Sequence, residues 1–310
     1  MTTVKKYLSL IKFSHTIFAM PFALIGFFLG IFYTQLTIAD APGWHSIIYS
    51  SDYIMSLGLL LLLVVLCMVF ARSAAMAFNR YLDRQFDAKN PRTAIREIPA
   101  GILKADRVLL FTIACSILFM VCCWFINRLC FLLSPVALFV ILFYSYTKRF
   151  TPLCHLVLGL GLSLAPIGAF LAVTGHFALL PILFSLAVIF WVSGFDIIYA
   201  LQDVDFDKSQ QLHSIPAWLG KAKALRVSEI LHVLSAICVI CAGAYGNFHW
   251  LYWIGVAVFT GMLIYQHSIV KADDLRRVNL AFMTANGIAS VVFAVFVIAD
   301  IFFRVNASTL

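Results

Sequence analysis

Residues 59–93 read LLLLLVVLCMVFARSAAMAFNRYLDRQFDAKNPRT. The first twenty are almost wholly apolar, and about 20 such residues in a helix cross the hydrocarbon core of a bilayer. The remaining fifteen, from Asn79 on, hold Asp83, Asp87, Arg80, Arg84, Arg92 and Lys89. Charge set against the end of a membrane-length helix is costly unless something there matches it. The stretch therefore predicts a spanning helix that ends in a ligand site.

The rest of the chain agrees with the first half of that reading. Of 310 residues, 63% are hydrophobic and 12% charged, against roughly a quarter charged in soluble domains. The expected fold is all-α and polytopic, with nine apolar segments at 16–35, 54–78, 108–126, 129–146, 156–173, 179–200, 227–245, 250–266 and 279–303. Residues 1–310 read as one domain. The eight cysteines lie mostly in apolar runs without paired metal-type spacings, and read as small buried hydrophobes. The N-terminal stretch superficially resembles a signal peptide. Its apolar run is too long and lacks a small-residue cleavage site, so it is expected to lie on the membrane surface and lead into the first span.

A net charge of +8 could suggest nucleic acid, but its distribution points to topology. With the N-terminus cytoplasmic, the inner side takes Lys5, Lys6 and Lys12, the eight basic residues from Arg72 to Arg107, and Lys148 and Arg149. It also takes Lys208, Lys221, Lys223, Arg226, Lys271, Arg276 and Arg277, leaving only Arg128 and Arg304 outside. That asymmetry is the positive-inside pattern. It predicts a multi-pass protein of the cell inner membrane with no nucleic-acid partner.

Two acidic clusters carry the chemistry. Asn79, Asp83 and Asp87 fall at i, i+4 and i+8 if the second helix continues, which places them on nearly one face. In FDIIYALQDVDFDKSQQLHS, Asp203 and Asp207 repeat the spacing, with Asp196 and Tyr199 higher on the same stripe. Like charges one turn apart repel, and a hard dication such as Mg2+ resolves this by taking one or two carboxylates together with phosphate oxygens. Four aspartates, two Mg2+ and a diphosphate leave work for cations, and Arg72, Arg92, Arg96, Lys148, Arg149 and Lys208 share the same membrane face. Arg72 is the most telling, because an unpaired charge inside a span costs at least ~2.5–3.5 kcal/mol. Asp205 lies off the stripe, and Asp273 and Asp274 read as surface charges. The 120-residue offset between the clusters hints at an internal duplication.

At NRYLDRQFD and DVDFD, with RTAIREIPAG, YTKRFTPL and YALQD around them, the chain resembles the UbiA superfamily of intramembrane aromatic prenyltransferases. The resemblance implies a helical bundle around a central cavity that opens to lipid and has its active site on the cytoplasmic side. It implies that Asn79, Asp83, Asp87, Asp203 and Asp207 hold Mg2+ and a polyprenyl diphosphate, with Arg72, Lys148 and Arg149 near the diphosphate or an aromatic acid. Two positions depart from the pattern: Arg80 stands where aspartate is often found, and His213 where lysine is. The phrases ARSAAMAFNRYLD and NPRTAIREIPAG are most similar to the branch used in menaquinone synthesis, which is often grouped with 4-hydroxybenzoate polyprenyltransferases.

The expected reaction is metal-assisted ionisation of the donor to an allylic cation, followed by attack of an electron-rich ring such as 4-hydroxybenzoate or 1,4-dihydroxy-6-naphthoate. Tyr199 and Tyr146 are candidates for steadying the cation. Asp196 is the candidate for orienting the phenol or taking the ring proton, and Arg149 for pairing with the acceptor carboxylate. A secondary transporter is the alternative from another class. Its acids would lie near the bilayer midplane, whereas these lie at one surface. Prenylation of haem or of a lipid is the alternative within the superfamily.

Overall fold

The computed structural model describes residues 3–11, 18–38 and 51–308, and these are mostly helical with no strand among them. Lys12 and the first two residues of the 16–35 segment lie outside the described residues. Surface helix α1 (Thr3–Leu10) precedes α2 (Met20–Ile38), and α3 (Ser51–Leu82) leads into the short α4 (Arg84–Lys89). Helices α5 (Ala105–Ile126), α6 (Arg128–Thr147), α7 (Cys154–Thr174) and α8 (Leu179–Ala200) follow. After the short α9 (Val204–Ser209) and α10 (Ile215–Leu219) come α11 (Lys221–Tyr245), α12 (Trp250–Ile269) and α13 (Asn286–Ser308).

Helices occupy all nine apolar segments of the sequence reading. Seven of them, among the described residues, have the length and apolar composition to cross a membrane. The other two differ for visible reasons. In α2 the side chains are described only over Met20–Gln35, and α12 carries Trp250, Tyr252, Trp253, Tyr265, Gln266 and His267. Large apolar side chains on the outer faces, among them Trp124, Phe125, Ile230 and Val295, are exposed. Apolar surface left uncovered on that scale suits a lipid surround.

Helix α8 is the axis of the bundle, packed chiefly against α7 and α11. A helix that is hydrophobic all round must be buried, and Phe184, Val188, Trp191, Val192, Ile197 and Ile198 are fully covered. Helices α2 and α13 close on the other side of α7 and α12, while α3, α5 and α6 form a second group that meets α7. Close backbone approach makes this possible at Gly26, where an added Cβ would lie 2.0 Å from the Pro166 carbonyl oxygen. Gly159 does the same between α7 and α8: a Cβ there would lie 2.5 Å from both the Ile189 carbonyl oxygen and Ser193 Oγ.

Three departures from regular helix border the same cavity. The sequence reading continues the second helix through Asp87, but α3 stops at Leu82 and Asp83 takes φ −90°, ψ 7°. Asp203 takes nearly the same conformation, φ −106°, ψ 7°, after a tight 3-10 turn at Leu201–Asp203. Both lie in the sparsely allowed bridge region where active-site residues are often found. The third departure is a π-helical turn at Leu280–Ala285. Asn286 Nδ2 donates to the Ala281 and Phe282 carbonyls at 3.2 and 3.0 Å, and Asn286 Oδ1 accepts from Trp191 Nε1 at 2.9 Å. Those bonds satisfy the widened turn.

Gly26→Ala should lower stability by at least ~1–3 kcal/mol, the usual cost of overpacking, because the neighbour it meets is backbone. Thermal unfolding in detergent measures this, and a melting temperature equal to wild type would show that α2 and α7 are free to separate.

Candidate active site

The turns after α3 and α8 bring the two acidic clusters to one end of the bundle, where they share a cavity of about 690 Å³. Asn79, Asp83, Asp87, Asp196, Tyr199 and Asp203 all lie in its wall, as do Arg92, Arg96, Lys148 and Arg149. The parallel run of α3 and α8 is what allows the two clusters to meet.

Each of the four motif acids has one cation. Arg92 grips Asp203 with a fork, Nε to Oδ1 at 3.0 Å and Nη2 to Oδ2 at 2.5 Å. Asn90 Nδ2 adds a bond to Asp203 Oδ1 at 3.2 Å. The segment that follows the first motif is thereby tied to the second motif. Arg96 Nη1 donates to Asp87 Oδ1 at 2.6 Å, and Lys148 Nζ lies 2.6 Å from Asp207 Oδ1. Arg149 Nη2 reaches both the Leu82 carbonyl at 2.9 Å and Asp83 Oδ1 at 3.3 Å, while Asn79 Nδ2 donates to Asp83 Oδ2 at 3.2 Å. Charged partners of this kind make the stronger class of hydrogen bond.

Burial shapes these charges. It raises the pKa of Asp83 above its ordinary value, helped by the neighbouring Asp87 and opposed by Arg149. Burial works against the Lys148 ammonium, yet Asp207 holds its pKa above that of an ordinary lysine.

The cavity changes character with depth. Met76, Tyr144 and Leu158 border both the polar chamber and a second, apolar chamber of about 380 Å³. Arg72 lies in the wall of the apolar chamber, with its Nε buried and without a hydrogen-bond partner. It is therefore deeper than the motif acids, not beside them. Arg92 sets its guanidinium 5.3 Å from the centre of the Tyr199 ring and donates from Nη1 to the Tyr199 hydroxyl at 3.0 Å. Tyr199 in turn packs on Phe282, with ring centres 4.3 Å apart.

Several candidates from the sequence do not reach this cavity. Lys208 is exposed and absent from its wall, because one residue beyond Asp207 the helix surface has turned away. Tyr146 is likewise exposed outside the cavity, where it packs under Arg149. Asp207 is fully buried and reaches the cavity only through Lys148 and Ser214, the latter donating to Asp207 Oδ2 at 2.9 Å. Arg149 does line the cavity, engaged with Leu82 and Asp83 through Nη2 while its Nε has no hydrogen-bond partner. His213 and Asp205 are exposed, and Asp274 pairs with Arg276 on the surface.

Other residues escaped the sequence reading. Tyr144, two residues before Tyr146, is the tyrosine of α6 that lines both chambers. Ser214 caps α10 through Ala217 N–H, and a serine one residue ahead of Ile-Pro is a legible cap signal. His155 sits in the first turn of α7 with Nδ1 2.6 Å from Asp196 Oδ2. Its only trace in the sequence is one polar residue in an apolar run.

The donor set can be tested against a metal ion. Among the described residues no three His, Cys, Asp or Glu side chains converge into a cage made by protein alone. Asp87 Oδ2 is buried with no hydrogen-bond partner, an oxygen left over for something hard and positive. A few carboxylate oxygens with room for other oxygen ligands fit Mg2+, which keeps water and phosphate in its shell.

Comparison with known proteins agrees with this arrangement. Residues 39–288 match the UbiA prenyltransferase family. The chain is 31% identical over 236 residues to 4-hydroxybenzoate octaprenyltransferase from Tolumonas auensis, covering 76% of this chain and 82% of that protein. The apo structure of a UbiA homolog from Aeropyrum pernix K1 superposes with a TM-score of 0.73 at 28% identity, over 94% of this chain and 98% of that one. A UbiA homolog from Archaeoglobus fulgidus bound to GPP and Mg2+ shares the fold, with a TM-score of 0.68 at 20% identity over 96% and 99% of the two chains. A helical bundle with two facing aspartate motifs at one end, matched over most of its length, belongs to the UbiA prenyltransferase family.

Proposed function

We propose that this chain transfers a polyprenyl group from its diphosphate to the ring of a hydroxylated aromatic acid, 4-hydroxybenzoate or 1,4-dihydroxy-6-naphthoate, on the route to ubiquinone or menaquinone. One observation carries the reading: two matched acid motifs and four cations meet at the mouth of a cavity whose depth is apolar. A diphosphate suits the mouth and an isoprenoid tail the depth. The relatives named 4-hydroxybenzoate octaprenyltransferase support the aromatic acid as acceptor, and the similarity of the NPRTAIREIPAG region supports the menaquinone alternative. We place the protein in the cell inner membrane as one nine-span domain, N-terminus and acid cluster on the cytoplasmic side, from the distribution of its basic residues.

In this reading Asp83, Asp87 and Asp203 hold Mg2+ with Asn79, and Asp207 supports them by fixing Lys148. Mg2+ supplies positive charge that neutralises the diphosphate and eases its departure. The rest is done by side chains of the chain. Arg92, Arg96, Lys148 and Arg149 sit within reach of both acids and diphosphate, so they can shift from carboxylate to phosphate oxygens as negative charge builds there. Tyr199, oriented by Arg92 and Phe282, presents its ring to the cavity where an allylic cation would form. The apolar chamber beyond Met76, Tyr144 and Leu158 keeps water from that cation. Asp196 faces the same space as acceptor of a proton.

The decisive assay gives purified protein Mg2+ and one polyprenyl diphosphate, and offers 4-hydroxybenzoate and 1,4-dihydroxy-6-naphthoate side by side. Prenylation of either acid with release of diphosphate is expected, and prenylation of neither would sink the acceptor assignment. Asp83→Ala and Asp207→Ala should each abolish turnover in protein that still elutes as folded in detergent. Near-full activity in either would overturn the roles given to these acids.

Arg92→Ala should lower kcat about 10²–10³-fold, the usual cost of removing one donor to a developing negative charge. Lys208→Ala should stay within about twofold of wild type, as surface changes away from a site usually do. The reverse ranking of those two variants would show that α9 turns its other face to the substrate.

A further inference from the structure

We propose that His155 is a positioning residue that holds Asp196 in place to take the ring proton of the aromatic acceptor. The inference rests on the aromatic prenyl transfer described above and assigns a part of it to a residue outside both acid motifs.

The hydrogen bonds settle the tautomer. Ile215 N–H, which can only donate, points at His155 Nε2 at 3.4 Å. That nitrogen therefore accepts, and the ring proton resides on Nδ1. Nδ1 faces Asp196 Oδ2 at 2.6 Å, a short bond of the kind a carboxylate makes with a donor. The histidine is 3% exposed and Asp196 25%, so the ring is locked while the carboxylate keeps an open side. Asp196 Oδ1 makes no hydrogen bond to any described residue, and both side chains line the polar chamber. An aspartate held through one oxygen, with the other turned to a cavity, is arranged as a proton acceptor.

Two further features show that the arrangement is built. Helices α7 and α8 meet closely at Gly159, and Ser193 Oγ donates to the His155 carbonyl at 3.1 Å. That contact fixes the backbone that carries the imidazole. The residue before Ile215 is Ser214, which holds Asp207 at 2.9 Å. One loop thus positions both the second motif and the imidazole. Asp196 stands on α8 one turn before its end at Ala200, and Asp203 closes the 3-10 turn that follows, so Asp196 is about 10 Å deeper at a rise of at least ~1.5 Å per residue. The mouth holds diphosphate, so this is the depth at which the first prenyl carbon meets the ring. A buried histidine is more often only a satisfied core group, but such a group would not leave its partner's second oxygen open to a substrate cavity.

The step balances. The allylic C–O bond breaks and its electron pair leaves with the diphosphate. A π pair of the ring forms the new C–C bond. The C–H pair then returns to the ring as the proton passes to Asp196 Oδ1, and from there to water at the polar mouth. His155 keeps its Nδ1 proton throughout.

The test uses the full-length protein in detergent with Mg2+, one polyprenyl diphosphate, and 4-hydroxybenzoate either unlabelled or deuterated at both ring positions beside the hydroxyl. Wild type should show an isotope effect near ~1, because donor ionisation limits the rate. His155→Leu should lose about tenfold or more in kcat with the KM for the prenyl diphosphate within about twofold, and its isotope effect should rise above ~2 as proton removal becomes limiting. His155→Gln, which keeps an N–H donor, should recover most of kcat and return the isotope effect towards ~1. An unchanged isotope effect in His155→Leu, or equal losses in the Leu and Gln variants, would overturn the proposal. Should His155→Leu fail to fold, Asp196→Asn gives the same reading: a raised isotope effect supports the proposal and an unchanged one overturns it. A wild type that prenylates neither 4-hydroxybenzoate nor 1,4-dihydroxy-6-naphthoate overturns the parent reading as well, and one that takes only the naphthoate is tested with that acid deuterated instead, whereas an active wild type with indifferent variants overturns this inference alone.

Discussion

Four carboxylates gathered at one end of an apolar bundle repel one another, and taking each out of water costs several kcal/mol unless a cation stands beside it. Arg149, Arg96, Arg92 and Lys148 supply those cations one by one to Asp83, Asp87, Asp203 and Asp207. Much of the local architecture follows from that pairing. The segment after α4 must fold back so that Arg92 and Arg96 reach their acids, and the turn between α6 and α7 must end where Lys148 and Arg149 can reach theirs. The same pairing stores the cations a diphosphate needs. A ligand that brings both metal and phosphate can take the acids with one and the cations with the other, so the site stays near neutrality on either side of binding.

The second constraint is the gradient along α8. Asp203 closes the 3-10 turn at its lower end, Tyr199 and then Asp196 stand above, and beyond them are Phe195, Val192 and Trp191 in the packed core. One helix therefore spans the change from wet, charged mouth to dry interior. Tyr144 and Leu158 mark the border from the opposite side. The π-helical turn before α13 completes the wall with Phe282 and Met283, and Asn286 and Trp191 hold it open from behind. Among the described residues, the irregular turns at Asp83, Asp203 and Leu280–Ala285 border a cavity, as expected where backbone groups must find polar partners away from lipid.

Similar sequence signals led to different structural outcomes. Asp300, a lone acid in an apolar span, looks like the kind of residue that marks a site. It is instead fully buried and accepts from His249 and Tyr252 N–H at 3.0 and 3.2 Å, closing the start of α12. Lys208 has the charge and the motif neighbourhood of a ligand residue but faces outward. His155 has neither and lines the cavity. What separates these residues is the side of the helix each stands on and what packs there.

The sequence alone determined that the chain is a bundle of membrane-length helices, since runs of about 20 apolar residues have few other homes. It also grouped Asp83, Asp87, Asp203 and Asp207, because i, i+4 acids on two helices of the same direction are costly without a shared ligand. Tertiary structure alone decided which cation serves which acid, that Asp207 works from behind Lys148, and that Arg72 lies in the apolar chamber. It alone joined His155 to Asp196, forty-one residues apart. Periodicity reports the face of a helix that a residue occupies, whereas the partner it meets depends on how closely two helices approach, and here a glycine at 159 sets that distance.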